Sequence, residues 1–226
     1  MAELLKEAVI GLDIGQGREH SAICVVEAEL REAREKCLVH FDVRHLERRP
    51  VRSSFPELAE RLAELAKAVW KQISRWPMVY TDLTGLRAPV LEILRDSDVW
   101  VEPGYFTHGD RRTQEGERDE VSYTLGKAYL VSRLQALLQT GRLHLPKTPE
   151  AGSLGEELLA YQVKVEENAN DRYGAFRVGA RDDLVTAVGL AVQVDPVFRT
   201  SRGDAGIQLS EPRYTYEEMC RLIGGG

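Results

Sequence analysis

Cysteine is scarce in this chain. Cys24, Cys37 and Cys220 are the only three among 226 residues, widely spaced and without a C-x-x-C pair. An odd, scattered set excludes a disulfide framework and a thiolate zinc site, and makes a reducing cytoplasm the expected compartment. No stretch approaches the roughly 20 apolar residues of a membrane-spanning helix. The opening MAELLKEAVI carries charge where a signal peptide is greasy, so no membrane partner is expected. A basic excess is also missing: the formal charge of −6 argues against a general nucleic-acid coat, although acids gathered at a metal site would give the same sum. None of the five histidines stands at a ligand-like spacing to the acids, and no internal repeat is evident.

With 43% apolar side chains, the chain can bury one sizeable core, which fits a single α/β domain. Ala8 to Asp13 is an apolar run ending in an acid. Ser21 to Glu27 is a second short strand after the turn Gly15-Gln16-Gly17, and the two predict a hairpin. From Leu38 to Leu46, Val39, Phe41 and Val43 alternate with His40, Asp42 and Arg44, the period of a one-face-covered edge strand. Ser54 and Glu57 have capping-box spacing before Leu58, Leu62, Leu65, Val69 and Ile73, which predicts a helix of about five turns. Met78 to Asp82 repeats the pattern of the first strand. Further helices are predicted at Pro89 to Arg95, Val121 to Thr140 and Leu154 to Val165, with Val99 to Val101 extended and Leu184 to Val194 a buried helix. His108 to Arg118 reads as a polar loop. Residues 1–199 are expected to form the domain and residues 200–226 a loosely attached tail. Hairpins followed by β-helix-β alternation predict a mixed sheet flanked by helices.

In such a sheet Asp13 and Asp82 would end neighbouring central strands, and the N-terminus of the last helix could aim Asp182 and Asp183 at the same point. Carboxylates that converge repel one another and are unfavourable unless cations neutralise them, and hard Mg²⁺ or Mn²⁺ ions want such oxygens. Two cations about 4 Å apart are the apparatus of phosphodiester hydrolysis. Plainer readings exist: Asp182 or Asp183 could cap a helix, and Asp13 with Gly15 or Asp82 with Gly85 could be turn chemistry.

The segments V-I-G-L-D-I-G-Q-G-R-E-H-S-A-I, V-Y-T-D-L-T-G-L-R-A-P-V and G-A-R-D-D-L-V-T-A-V-G-L-A-V resemble, in the same order, the nuclease domain of bacteriophage terminase large subunits. The stretch G-K-A-Y-L-V-S-R-L-Q-A-L-L-Q-T-G-R-L-H-L-P is similar to the segment joining the second and third motifs in that family. The resemblance covers roughly residues 8 to 194. It implies an RNase H-like fold, a metal-dependent endonuclease acting on double-stranded DNA in a bacterial host cell, and a two-ion Mg²⁺ or Mn²⁺ site. Asp13, Asp82, Asp182 and Asp183 would be the catalytic metal ligands, with the principal ligand of the last pair left open. The implied partners are a separate packaging ATPase, a small terminase and a portal. Two departures stand out. No G-x-x-x-x-G-K-[ST] phosphate loop is present, so this chain is not expected to drive packaging by itself. Arg181 stands where the family often has His, which leaves the ligands intact.

For DNA contact, Arg48 and Arg49 belong to a cluster before the first long helix, and Arg111, Arg112 and Arg118 lie in the polar loop; a wet charged face is the plainer account of both. Lys127 could contact phosphate, but a solvated helix lysine is the plainer reading. Other RNase H-like nucleases such as RuvC-like resolvases, and a non-catalytic module that binds DNA or packaging proteins, are the alternatives. The motif G-L-D-I-G-Q-G also resembles the phosphate loop of actin-like kinases, but the chain is too short for their two lobes.

Overall fold

The computed structural model describes residues 6–33, 36–86, 88–97, 99–107, 109–116, 121–160, 162–165, 171–174 and 181–193. The chain begins β1 (Lys6–Asp13), β2 (Ala22–Ala33), β3 (Lys36–Arg48), α1 (Phe55–Ile73), β4 (Met78–Asp82), α2 (Ala88–Arg95), β5 (Trp100–Thr107) and β6 (Arg112–Glu115). It continues β7 (Ser122–Gly126), α3 (Lys127–Gln139), β8 (Leu143–His144), α4 (Pro149–Ala160), β9 (Gln162–Val165), β10 (Asp171–Gly174) and α5 (Asp183–Ala191).

Eight strands form one mixed sheet in the order β6-β7-β5-β4-β1-β2-β3-β8, and β9 pairs with β10 in a separate hairpin. The first three strands are antiparallel neighbours, whereas β1, β4, β5 and β7 run parallel. Side-chain alternation sorts the central strands onto two faces. Ala8, Ile10 and Leu12 pack with Leu58 and Leu62 of α1 and Leu94 of α2. Val9, Met78 and Tyr80 pack with Leu130 and Leu134 of α3, Leu154 of α4 and the apolar length of α5. The expected α/β architecture, a central mixed sheet flanked by helices, is present. The capping box of α1 is also present, with Ser54 accepting from the Glu57 amide and Glu57 returning a bond to the Ser54 amide.

One close approach fixes the second layer. A Cβ on Gly11 of β1 would lie 1.9 Å from the carbonyl oxygen of Ala187 and 2.8 Å from the amide nitrogen of Ala191. Only glycine lets the backbone of α5 rest directly on β1.

Several expectations need correction. The helix expected from Val121 starts only at Lys127, because Tyr123 and Leu125 alternate inward along β7, which pairs with β5 and β6 on either side. The helix expected over Leu154 to Val165 begins earlier, at Pro149, and gives way to β9. Within the expected polar loop, residues 112–115 form the edge strand β6. Strand β3 is not an edge along its whole length, since Phe41 and Asp42 pair with the two-residue β8. The tail 200–226, together with Arg118, lies outside the described residues. Among the described residues no helix is long and apolar enough to cross a membrane.

Candidate active site

The four acids arrive at one place for separate local reasons. On β1 and β4, Val9, Gly11 and Asp13 share a face with Met78, Tyr80 and Asp82, as a period of two requires. The parallel ladder pairs Leu12 with Thr81, so Asp13 and Asp82 follow side by side, one strand spacing of ~4.8 Å apart. The face they share is the one α5 covers. Seating α5 on Gly11 brings its first turn, and with it Asp182 and Asp183, over the C-terminal ends of these strands. Asp13, Asp82, Asp182 and Asp183 together line one cleft of about 790 Å³. Its other walls include Gln16, Arg18 and His20 from the turn after β1, Thr84, Phe106, Lys127 and Arg181.

The cleft is electrically frustrated. Burial pushes the Asp13 carboxyl well above the usual carboxylate range, reinforced by the negative charges of Asp82, Asp182 and Asp183 and opposed by Lys127. Burial also raises Asp82, against hydrogen bonds from Thr84 and the charge of Lys127. One of those bonds is the turn contact in which the Thr84 amide donates to Asp82 Oδ1 at 2.8 Å, so turn chemistry and a place in the cleft coexist at Asp82. Lys127 is half-buried, with its ammonium 5.5 Å from the Phe106 ring centroid; it stands in the cleft, contrary to the expected solvated lysine. No local signal separated it from other helix lysines, because its position depends on β7 ending at Gly126.

The helix-capping reading of Asp182 is corrected. Asp182 occupies the N-cap position of α5 but makes no side-chain capping bond. Glu157 of α4 does that work instead: its Oε2 accepts from the amides of Leu184 at 3.0 Å and Val185 at 3.1 Å. Arg48 joins both elements, donating from Nε to Asp183 Oδ2 at 2.5 Å and from Nη2 to Glu157 Oε1. Burial and the neighbouring Asp183 push the Glu157 carboxyl above its usual range, against hydrogen bonding by the Val185 amide and the charge of Arg48. Glu157 was missed from sequence, where it is one acid among several on a helix.

The basic residues expected at DNA are dispersed. Arg48 turns inward, as described, rather than presenting its guanidinium outward. Arg49 Nη1 lies 4.0 Å from Glu47. Arg111 is exposed, with Asp110 at 3.9 Å, and Arg112 lies over the Tyr123 ring at 4.5 Å. The Arg111 carbonyl accepts from the Gly126 amide, which places Arg111 at the same end of the sheet as Lys127 and the cleft.

A divalent cation suits this donor set. The acids supply hard oxygen ligands without a thiolate, and their mutual repulsion is what such an ion would relieve. The carboxylates are not already closed into a cage: among the described residues no three His, Cys, Asp or Glu side chains are grouped tightly enough to hold one metal ion.

No protein-family model and no curated protein matches the sequence. Solved structures do match. The large terminase nuclease from thermophilic phage G20c aligns at 19% identity and a TM-score of 0.55, covering 84% of this chain and 83% of that one. The same nuclease with bound magnesium aligns at 20% identity and 0.53, covering 82% and 80%. The human cytomegalovirus terminase nuclease domain, soaked with manganese, aligns at 17% identity and 0.50, covering 83% and 82%. This chain has the RNase H-like fold of terminase nuclease domains.

Proposed function

We propose that the protein is a metal-dependent endonuclease that hydrolyses phosphodiester bonds of double-stranded DNA, as a terminase nuclease does. The observation that carries the reading is the convergence of Asp13, Asp82, Asp182 and Asp183 on one cleft, with the negative charge of three of them loading the fourth. Asp13 and Asp82, with Asp182 or Asp183, would hold the ions. Two divalent cations there would supply Lewis acidity and neutralise charge developing on the phosphate. Support for Mg²⁺ or Mn²⁺ comes from the carboxylate donors and from the magnesium-bound and manganese-soaked relatives of the same fold.

The chain's own residues would do the rest. Lys127 and Arg181 add positive charge to the wall of this acid-lined cleft, which would favour a DNA phosphate there. Arg18 lies at the mouth and Arg111 at the same sheet end, positions suited to phosphates flanking the scissile bond. The sequence shows no base-reading motif, so cleavage should be salt-sensitive and largely indifferent to sequence. Target choice then falls to a packaging ATPase, small terminase or portal acting with it.

The test is nicking of supercoiled plasmid with Mg²⁺ or Mn²⁺, with and without chelator. Wild type should nick only with metal, and Asp13→Asn and Asp82→Asn should lose at least about 100-fold in rate, the scale of removing an electrostatic catalytic group. Equal nicking by wild type and both variants would reject the reading.

A further inference from the structure

The helix that carries Asp182 and Asp183 begins without help from its own N-cap side chain. The first amides of any α-helix lack intrahelical partners, and buried ones left unmet are costly. Here α4 meets two of them across the fold, through Glu157 Oε2. The other oxygen of Glu157 accepts from Arg48 at the end of β3, and the same guanidinium holds Asp183. Glu157 and Arg48 are 109 positions apart in sequence, Arg48 and Asp183 135. Side-chain exposures of 6% for Glu157, 9% for Asp183 and 19% for Arg48 leave little water to replace any of these bonds.

We infer that Arg48 and Glu157 are positioning residues: together they fix the first turn of α5 and the rotamer of Asp183, so that the acids opening this helix meet incoming cations already oriented. This rests on the metal-dependent reading above. The physical case is that a buried ion-pair network adds little net stability, because desolvation offsets attraction, but it can specify geometry. A planar guanidinium donating from two nitrogens to two carboxylates is suited to that task, which an ammonium of similar charge performs less well. Hydrogen-bond partners behind ligating groups typically change metal affinity about 10–100-fold when removed. Neither residue needs to touch DNA or the ions.

The experiment compares Mn²⁺ affinity, read from the free-ion electron paramagnetic resonance signal, with melting temperature in chelator. Wild type, Arg48→Gln, Arg48→Lys and Glu157→Gln are measured as full chains with MnCl₂ alone. Arg48→Gln is expected to bind Mn²⁺ about 10–100-fold more weakly, with partial recovery in Arg48→Lys. Glu157→Gln, which keeps an oxygen for the α5 amides but puts an NH2 group where Arg48 needs an acceptor, should fall between wild type and Arg48→Gln. Lowered melting temperatures with unchanged Mn²⁺ affinity would overturn the inference, since a merely structural network would give that result. Tighter Mn²⁺ binding by Arg48→Gln would also overturn it, identifying Arg48 as a competitor of the metal. Wild type that binds no Mn²⁺ would overturn the nuclease reading as well; wild type that binds while all variants bind equally would overturn this inference alone.

Discussion

Gly11→Ala probes the contact that joins fold to chemistry. The added methyl would meet the Ala187 carbonyl oxygen at 1.9 Å, and Cβ atoms essentially never approach another heavy atom closer than 3.0 Å. The obstacle is backbone on both sides, so no side chain can swing away. Helix α5 must retreat by about 1.1 Å, carrying Asp182 and Asp183 with it. Overpacking of this kind costs about 1–3 kcal/mol, and 2 kcal/mol in a domain of this size lowers Tm by roughly 4–8 °C. A shift of ~1 Å in positioned groups costs about 100-fold in rate, so cleavage should suffer more than stability. The assay pairs a thermal melt with plasmid nicking at a temperature where the variant is folded. Gly155→Ala on α4 is the control: its Cβ would meet nothing within 4 Å, and the change should stabilise by about 0.5–1 kcal/mol. Wild-type Tm and nicking in Gly11→Ala would refute the seating of α5 on β1 as the device that gathers the acids.

Glu47 should contribute acid-sensitive stability. Burial works against its charge, but hydrogen bonds from His45 and Arg61 outweigh that and hold its carboxyl down from 4.5 to about 2. A depressed acid stabilises the fold above its unfolded value, and the contribution fades as pH falls from about 4.5 to about 2. Glu47→Gln should therefore cost about 1–2 kcal/mol at pH 7 in urea unfolding, after allowance for solvent screening, and much less at pH 2; a constant difference would contradict the pairing. Asp13 has the opposite sign. Its folded carboxyl takes up a proton more readily than the usual 3.8, so the chelated wild type loses stability as pH rises above about 4. At pH 7 in chelator, Asp13→Asn should melt several degrees higher than wild type, whereas added Mn²⁺ should raise the melting temperature of wild type only. Equal Mn²⁺ shifts in both would remove Asp13 from the ligand set.

Much of this was legible in sequence where local pattern decides local structure. The apolar runs of β1 and β4, each ending in an acid, and the Ser54 to Ile73 helix with its capping box are local statements, and the parity of Asp13 and Asp82 follows from them. Strand β7 was not legible: Val121, Tyr123 and Leu125 stand at even spacing, but the run continues into α3 without a break, and only pairing with β5 and β6 makes its first part a strand. The two-residue β8 is too short to carry a pattern of its own. At the site, the acids announced themselves because each ends or begins a regular element. Glu157 and Arg48 could not: Arg48 stands more than a hundred residues from Glu157 and from Asp183, the amides that Glu157 accepts from belong to a different helix, and neither residue has a distinctive neighbour in sequence. The place of Lys127 in the cleft was hidden for the same reason, being set by the end of β7.

Anomalous scattering from crystals soaked in Mn²⁺ tests the central claim most directly. Manganese peaks are expected in the cleft, within about 2.0–2.6 Å of carboxylate oxygens of Asp13 and Asp82 and of one of the two acids opening α5, the range of hard-cation ligation. Peaks confined to the outer surface, or a cleft that stays without manganese in crystals whose other carboxylates bind it, would contradict the account.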